Sequence, residues 1–434
     1  MKRNITKKLV EWQNKNNRKP LLLRGARQVG KTFSIVEFGK THFKGNVHNL
    51  NFEKNPELHS IFDPNLDSIR ILAEIELILN KHIEPGTDLL FFDEIQECPK
   101  AIMALRYFYE QIPNLHVIAA GSLLEFAIED ISFPVGRLQM LHMEPMTFEE
   151  FLIANDKELL AEKIKQPNIH LSPSVLEIVN NELYKYYIIG GMPECVKIFA
   201  DTGSLLDPIS IQTDLIATFR QDFSKYAGHS DKRCLNSVLS SVASRIGEQI
   251  KYSQLAENYS NPTIKKAFEL LETARLFTKV RAASPSGLPL GASTSDKKFK
   301  AVFLDIGLMS NLNGFYSDRT ISKQKLTAAF SGKMAEQFVG QEIRAATHEN
   351  LYYWSRDARS SSAETDYLIE KEGEILPIEV KSGKSGSLKS LHLLLDTFSN
   401  INTSLVFTED KYGELSDQKI KFLPLFYAGS MEFF

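Results

Sequence analysis

Residues 25–32 read Gly-Ala-Arg-Gln-Val-Gly-Lys-Thr and satisfy GxxxxGK[ST] at every position. That spacing suits a loop wrapped around phosphates. Gly25 and Gly30 let the backbone approach closely, and the amides of Ala26, Arg27, Gln28 and Val29 turn inward. Lys31 reaches the β- and γ-phosphates, Thr32 offers a hydroxyl to Mg²⁺, and Phe33 opens the following helix. The positive end of that helix adds to the same site. A second pattern lies downstream: Leu89-Leu90-Phe91-Phe92 runs into Asp93-Glu94. An apolar strand ending in two carboxylates gives Asp93 a place on Mg²⁺ through water. It gives Glu94 a place from which to polarise an attacking water. The chemistry implied is binding and hydrolysis of ATP with Mg²⁺.

Several other residues could serve the same site. Ser122 follows the strand expected at 116–120, where it could contact the γ-phosphate. It could equally cap the next helix, because Glu125 stands three residues on, as in a capping box. Arg137 is a candidate for stabilising transition-state charge, in competition with Arg24, Arg27 and Arg106. Gln96 either orients water or begins the next helix.

A third constellation lies near the C-terminus. Asp366 opens one expected strand, and Glu379-Val380-Lys381 ends the next. Period-two alternation puts Glu379 and Lys381 on one face, and hairpin pairing brings Asp366 beside them. Asp366 and Glu379 would hold Mg²⁺, Lys381 would steady the nucleophile, and Glu336 on the preceding helix completes the set. The pattern resembles the PD-(D/E)xK nuclease core. An exposed strand with a salt bridge, or a nuclease-like fold used only for binding, would give the same residues. Pro377 points to an edge or a bulge.

These residues need elements to hold them. At 434 residues the chain is too long for one ordinary core, so two to four domains are expected. With 43% hydrophobic and 24% charged residues, the composition is that of a globular protein. Apolar runs at 21–23, 47–51, 89–92 and 116–120 alternate with helical patterns at 66–79 and 101–111, which predicts a parallel sheet covered by helices. Helical periods fill 148–226, broken by Gly190-Gly191-Met192-Pro193. Helical patterns at 237–244, 252–257 and 261–274, then strands at 277–281 and 299–304, spell a winged helix-turn-helix. After a linker over 311–325, the order helix (332–348), three strands, helix and strand predicts a last α/β domain. The domains expected are therefore 1–147, 148–229, 230–310 and 325–434.

Charge separates these regions. The net formal charge is −3, yet residues 225–300 carry 13 Lys and Arg against 6 Asp and Glu. Lys265, Lys266 and Arg275 fall on the presumed recognition helix. Lys279, Arg281, Lys297, Lys298 and Lys300 fall on or beside the wing, a placement suited to DNA phosphates. A solvated face or a protein-binding role is the alternative. Three scattered cysteines, with no CxxC and no HExxH, exclude a zinc-ligand pattern and fit a reducing, cytoplasmic setting. No stretch reaches the ~18 apolar residues that would span a bilayer, so no membrane partner is expected.

The segments GARQVGKT, LLFFDEIQ, AAGSLLEF, GRLQMLHMEPMTFEEF and GGMPE resemble the AAA-type ATPases of bacteria and archaea that carry a C-terminal domain of unknown function. FLDIGLM, GKMAEQFVGQEI, LYYW and PIEVKSG extend the resemblance through the C-terminal half. It implies an α/β fold: a P-loop AAA-type parallel-sheet core, a helical extension, a winged helix and a restriction-endonuclease-like C-terminal domain. Such ATPases often form rings with an arginine supplied by a neighbour, which leaves a monomer, a homo-oligomer or a complex with a protein partner open. The function expected is an ATPase that binds DNA and cleaves it with the C-terminal domain. The alternative is a nucleotide-controlled switch that docks a protein partner, with an inactive C-terminal fold.

Overall fold

The computed structural model describes residues 1–129, 133–134, 136–166, 171–226, 232–314, 331–358, 361–382 and 387–433. Most of the expected linker over 311–325 and the expected boundary at 229/230 lie outside the described residues. The chain forms two compact units, Met1–Glu144 and Pro145–Phe434.

The first unit begins with α1 (Ile5–Gln13), whose Ile5, Leu9 and Trp12 form its buried stripe. Then follow β1 (Leu21–Arg24), α2 (Lys31–His42), β2 (Val47–Asn51), α3 (Ser68–Leu79), β3 (Leu89–Asp93), α4 (Pro99–Gln111), β4 (His116–Gly121), α5 (Leu124–Glu129) and β5 (Gln139–His142). The strands lie in the order β2-β3-β4-β1-β5, and every pairing is parallel. Strands covered by helices on both faces bury both sets of side chains. Accordingly β3 and β4 are buried at every position. Phe52, Phe62, Phe92 and Phe108 meet edge to face in the core. The carboxyl ends of β1, β3 and β4 deliver the phosphate-loop motif, Asp93 and Ser122. The short β5, none of whose four residues is fully buried, was not legible as a strand.

The second unit opens with helices: α6 (Phe148–Ala154), α7 (Glu158–Lys163), α8 (Pro173–Ile189), α9 (Pro193–Thr202) and α10 (Asp207–Tyr226). The glycine pair separates α8 from α9, as its composition implies. Next come α11 (Lys232–Ser244), α12 (Asn261–Thr273) and the hairpin β6 (Phe277–Ala283) and β7 (Thr294–Phe303). The helix expected over 252–257 is only a 3-10 turn, Tyr252–Gln254. Then follow α13 (Ile306–Leu312), α14 (Ser331–Thr347), β8 (Tyr352–Ala358), β9 (Ser361–Lys371), β10 (Glu374–Val380), α15 (Lys389–Thr397), β11 (Ser404–Thr408), β12 (Gly413–Leu415) and β13 (Ile420–Pro424).

One mixed sheet of eight strands runs β12-β13-β11-β10-β9-β8-β6-β7. The hairpin β6–β7 is part of this sheet: Arg281 and Ala282 pair in parallel with Tyr352 and Tyr353 of β8. The expectation of an edge or bulge at Pro377 is corrected. β10 lies between β9 and β11. Pro377 is opposite Leu368 of β9 with no shift of register, one residue before the ladder to β11 starts at Ile378.

Candidate nucleotide site and C-terminal carboxylate cluster

Apolar β1 drives its carboxyl end to the edge of the core, and the loop that follows is shaped by glycine. Gly30 sits at φ 93° as the N-cap of α2. A Cβ on Gly25 would run into the Met143 carbonyl. Lys31 is 5% exposed. Its Nζ donates to the carbonyls of Gly25 (3.0 Å) and Ala26 (2.8 Å) and to Ser122 Oγ (2.9 Å). Burial lowers its pKa to about 8, against the raising effect of Glu94 and Asp93. Thr32 donates its hydroxyl to Asp93 at 3.0 Å, and Asn51 donates to the other Asp93 oxygen at 3.1 Å. Burial and the neighbouring Glu94 raise Asp93. Glu94, at φ 50°, accepts from Gln96 Nε2 at 2.7 Å.

Lys31, Thr32, Asp93, Glu94 and Ser122 therefore converge. The Thr32 hydroxyl beside the Asp93 carboxylate is an all-oxygen pair that fits Mg²⁺. Phe33 is 55% exposed at the start of α2. Asn51 was missed, although its register opposite Asp93 on β2 is what places it. The arginines are engaged elsewhere in the unit. Arg24 pairs with Glu125 at 3.1 Å, so Glu125 serves an ion pair. Arg27 lies 3.8 Å from Glu53. Arg106 and Arg137 both donate to Glu110 at 3.0 Å, beside a cavity of about 420 Å³ that Leu66, Tyr107 and Phe133 also line.

In the second unit, antiparallel pairing of Tyr367 with Ile378 brings Asp366 to the end of β10. Asp366 accepts the Val380 amide at 2.8 Å, and Lys381 donates to Glu379 at 2.6 Å. Beside Asp366 stands Lys300 of β7, 1% exposed. Its Nζ lies 2.8 Å from Glu336, 2.5 Å from Glu364 and 3.2 Å from Asp366. Burial alone would lower Lys300; Glu336, Asp366 and Glu364 overcome that and hold it well above its ordinary value. Burial raises Glu336 and Glu379, with Asp366 adding to both. The buried Glu379 Oε2 has no hydrogen-bond partner. Among the described residues, no group of three or more His, Cys, Asp or Glu is placed to hold a metal ion.

Lys300, expected beside the wing as a phosphate contact, is thus an internal counter-ion. Neither it nor Glu364 was legible as part of this cluster, because the contact depends on β7 joining the C-terminal sheet. Lys279 is also committed: its side chain is 7% exposed and donates to Asp296 at 2.7 Å. Arg281 shares Asp296 at 3.3 Å. Lys265 pairs with Glu269 at 3.6 Å along α12, where Lys266 is exposed; Arg275, just past the helix, is half-buried. Among the described residues no helix is long and apolar enough to cross a membrane.

Residues 17–152 match an AAA domain, while 180–319 and 331–427 each match a domain of unknown function (DUF8612 and DUF4143). An uncharacterized protein of Methanocaldococcus jannaschii, MJ1544, is 24% identical over 89% of this chain and 84% of its own length. An uncharacterized protein of Haemophilus influenzae is 23% identical, over 87% and 85%. Among solved structures, the Walker-type ATPase PABY2304 of Pyrococcus abyssi is 16% identical, with TM-score 0.46, over 72% of this chain and 95% of that one. The RuvB Holliday junction branch migration motor of Thermotoga maritima is 16% identical, with TM-score 0.26, over 63% and 88%. The AAA-domain match falls on the all-parallel sheet that carries the GxxxxGKT loop and Asp93-Glu94, and the first unit is accordingly an AAA-type P-loop ATPase core.

Proposed function

We propose that the protein binds ATP with Mg²⁺ and hydrolyses it. The observation that carries this reading is the meeting of Lys31, Thr32, Asp93, Glu94 and Ser122 at the carboxyl ends of β1, β3 and β4. Lys31 leaves the Gly25 and Ala26 carbonyls for the β- and γ-phosphates. Thr32 and Asp93 hold Mg²⁺, which neutralises phosphate charge when bound. Glu94 polarises the attacking water and Ser122 donates to the γ-phosphate. The test is steady-state hydrolysis by Lys31→Ala. Turnover of about a hundredth to a thousandth of wild type is expected, on the order of the loss seen when a preorganised electrostatic group is removed; wild-type turnover would sink the proposal.

We further propose that α11, α12 and β6–β7 act as a winged helix on DNA. With the buried Lys300 set aside, 12 Lys and Arg stand against 6 Asp and Glu over 225–300, which supports this, with Lys265, Lys266, Arg275 and Arg281 as the phosphate contacts and Lys279 holding Asp296. DNA affinity should fall steeply with salt; flat salt dependence would point to a protein partner instead. For the C-terminal cluster, a specific observation favours the second reading, a nucleotide-controlled switch with an inactive nuclease-like fold. The Lys300 ammonium sits among Glu336, Glu364 and Asp366, and so occupies Asp366 and Glu336 of the expected metal set. On this reading no DNA is cut in Mg²⁺ or Mn²⁺ in any nucleotide state. Cleavage lost in Lys381→Ala would restore the nuclease reading.

A further inference from the structure

The phosphate loop is braced from behind by residues that its motif does not contain. Arg3, just ahead of α1, donates from one terminal nitrogen to the Val29 carbonyl within the loop, at 2.7 Å. The other terminal nitrogen donates to the Glu144 carbonyl, also at 2.7 Å. Glu144 is the last residue of the first unit. Beside it, the Met143 amide donates to the Arg24 carbonyl at 2.8 Å, which extends the pairing of β5 on β1 by one residue. The Met143 carbonyl closes over Gly25, where no Cβ would fit. Residues 24, 25 and 29 thus all bear on residues 143–144, directly or through Arg3.

A guanidinium is planar, permanently charged and presents its donors at a fixed separation. One Arg3 side chain therefore sets the spacing between the Val29 and Glu144 carbonyls. Lys31 also donates to carbonyls of the loop, those of Gly25 and Ala26, and a phosphate competes for its ammonium through charge-assisted bonds. Filling the site frees those carbonyls at one end of the loop, while Arg3 still grips the other end.

We propose that Arg3 is a positioning residue of the nucleotide site: it pins the loop at Val29 to the exit segment 143–144, so that phosphate in the loop is felt at the last residues of the first unit. The inference rests on the nucleotide-binding reading above. It gives residues 143–144 a nucleotide-dependent stability, with Arg3 as the group that transmits it.

The test is amide hydrogen exchange of the full chain, read on peptides covering residues 139–144. It is run without nucleotide and with Mg²⁺ and a non-hydrolysable ATP analogue, alongside titration with a fluorescent ATP. In the wild type, nucleotide should slow exchange there by about fivefold or more, the lower end of ordinary coupling between sites. In Arg3→Ala the nucleotide still binds, more weakly, and the slowing is lost. Arg3→Lys, whose ammonium reaches a carbonyl without the planar fork, should restore part of it. If Arg3→Ala does not fold, the drop from wild type to Arg3→Lys carries the test. Undiminished slowing in the Arg3 variants overturns the proposal, as does a wild type that binds nucleotide with no change at 139–144. Failure of the wild type to bind the fluorescent ATP would instead overturn the nucleotide reading, and the titration shows that separately.

Discussion

Glu342 of α14 is buried, accepts the Phe148 amide at 3.0 Å and lies 3.3 Å from the Tyr186 hydroxyl. Burial first, and Glu150 nearby, raise its pKa to about 8. An acid raised on folding is favoured in its neutral form. Its contribution is complete below the ordinary carboxylate range and is lost as pH climbs through about 8. Burial raises Asp305 as well, to about 6, so it acts in the same direction. The second unit should lose on the order of a few kcal/mol between pH 5 and pH 8.5, since each pKa unit is worth about 1.4 kcal/mol. Urea unfolding of Glu342→Gln should show a shallower slope and a gain over wild type at pH 8.5; equal slopes would refute the assignment. Gly25 is the corresponding point in the first unit. A Cβ there meets backbone, which cannot swing aside. Gly25→Ala should therefore cost about 1–3 kcal/mol and abolish binding of fluorescent ATP.

At the scale of elements, the glycine pair that separates α8 from α9 is explained by α13. Asp305 caps α13 by accepting the Leu308 amide at 3.0 Å and also accepts the Gly191 amide at 2.6 Å. A Cβ on Gly190 would run into the Asp305 carboxylate, and one on Gly191 into the Met146 carbonyl. The segments GGMPE and FLDIG thus form one joint between helices distant in sequence. Lys300 joins β7 to α14 and β9 in a similar way. Removing a buried partner leaves uncompensated charge, at a cost of about 3–5 kcal/mol. Lys300→Met should lower the stability of the second unit by that order at pH 7. The loss should shrink at acid pH as the carboxylates protonate. A pH-independent loss in calorimetry would mean that packing, rather than charge, dominates.

For the whole molecule, two compact units predict more than one thermal transition. A nucleotide held at about one hundred times its Kd stabilises the unit that binds it by about 2.7 kcal/mol. Calorimetry with Mg²⁺ and a non-hydrolysable ATP analogue should raise the midpoint of the first unit's transition, and Lys31→Ala should erase the shift. The order of elements across the chain was largely legible. Uninterrupted apolar runs such as 89–92 and 116–120 have few physical outcomes other than buried parallel strands. The four-residue β5 was invisible because its strand character comes from pairing with β1, and the short β12 from pairing with β13. What the sequence alone determined was local: a glycine-lysine-threonine loop between strand and helix, an Asp-Glu pair ending a buried strand, and the hairpin that brings Asp366 to Glu379. What only the tertiary structure decided was which distant polar or charged group answers each of them. Arg3 on Val29, Asn51 on Asp93 and Lys300 among Glu336, Glu364 and Asp366 are contacts across many residues, set by strand order and helix packing that no local spacing encodes.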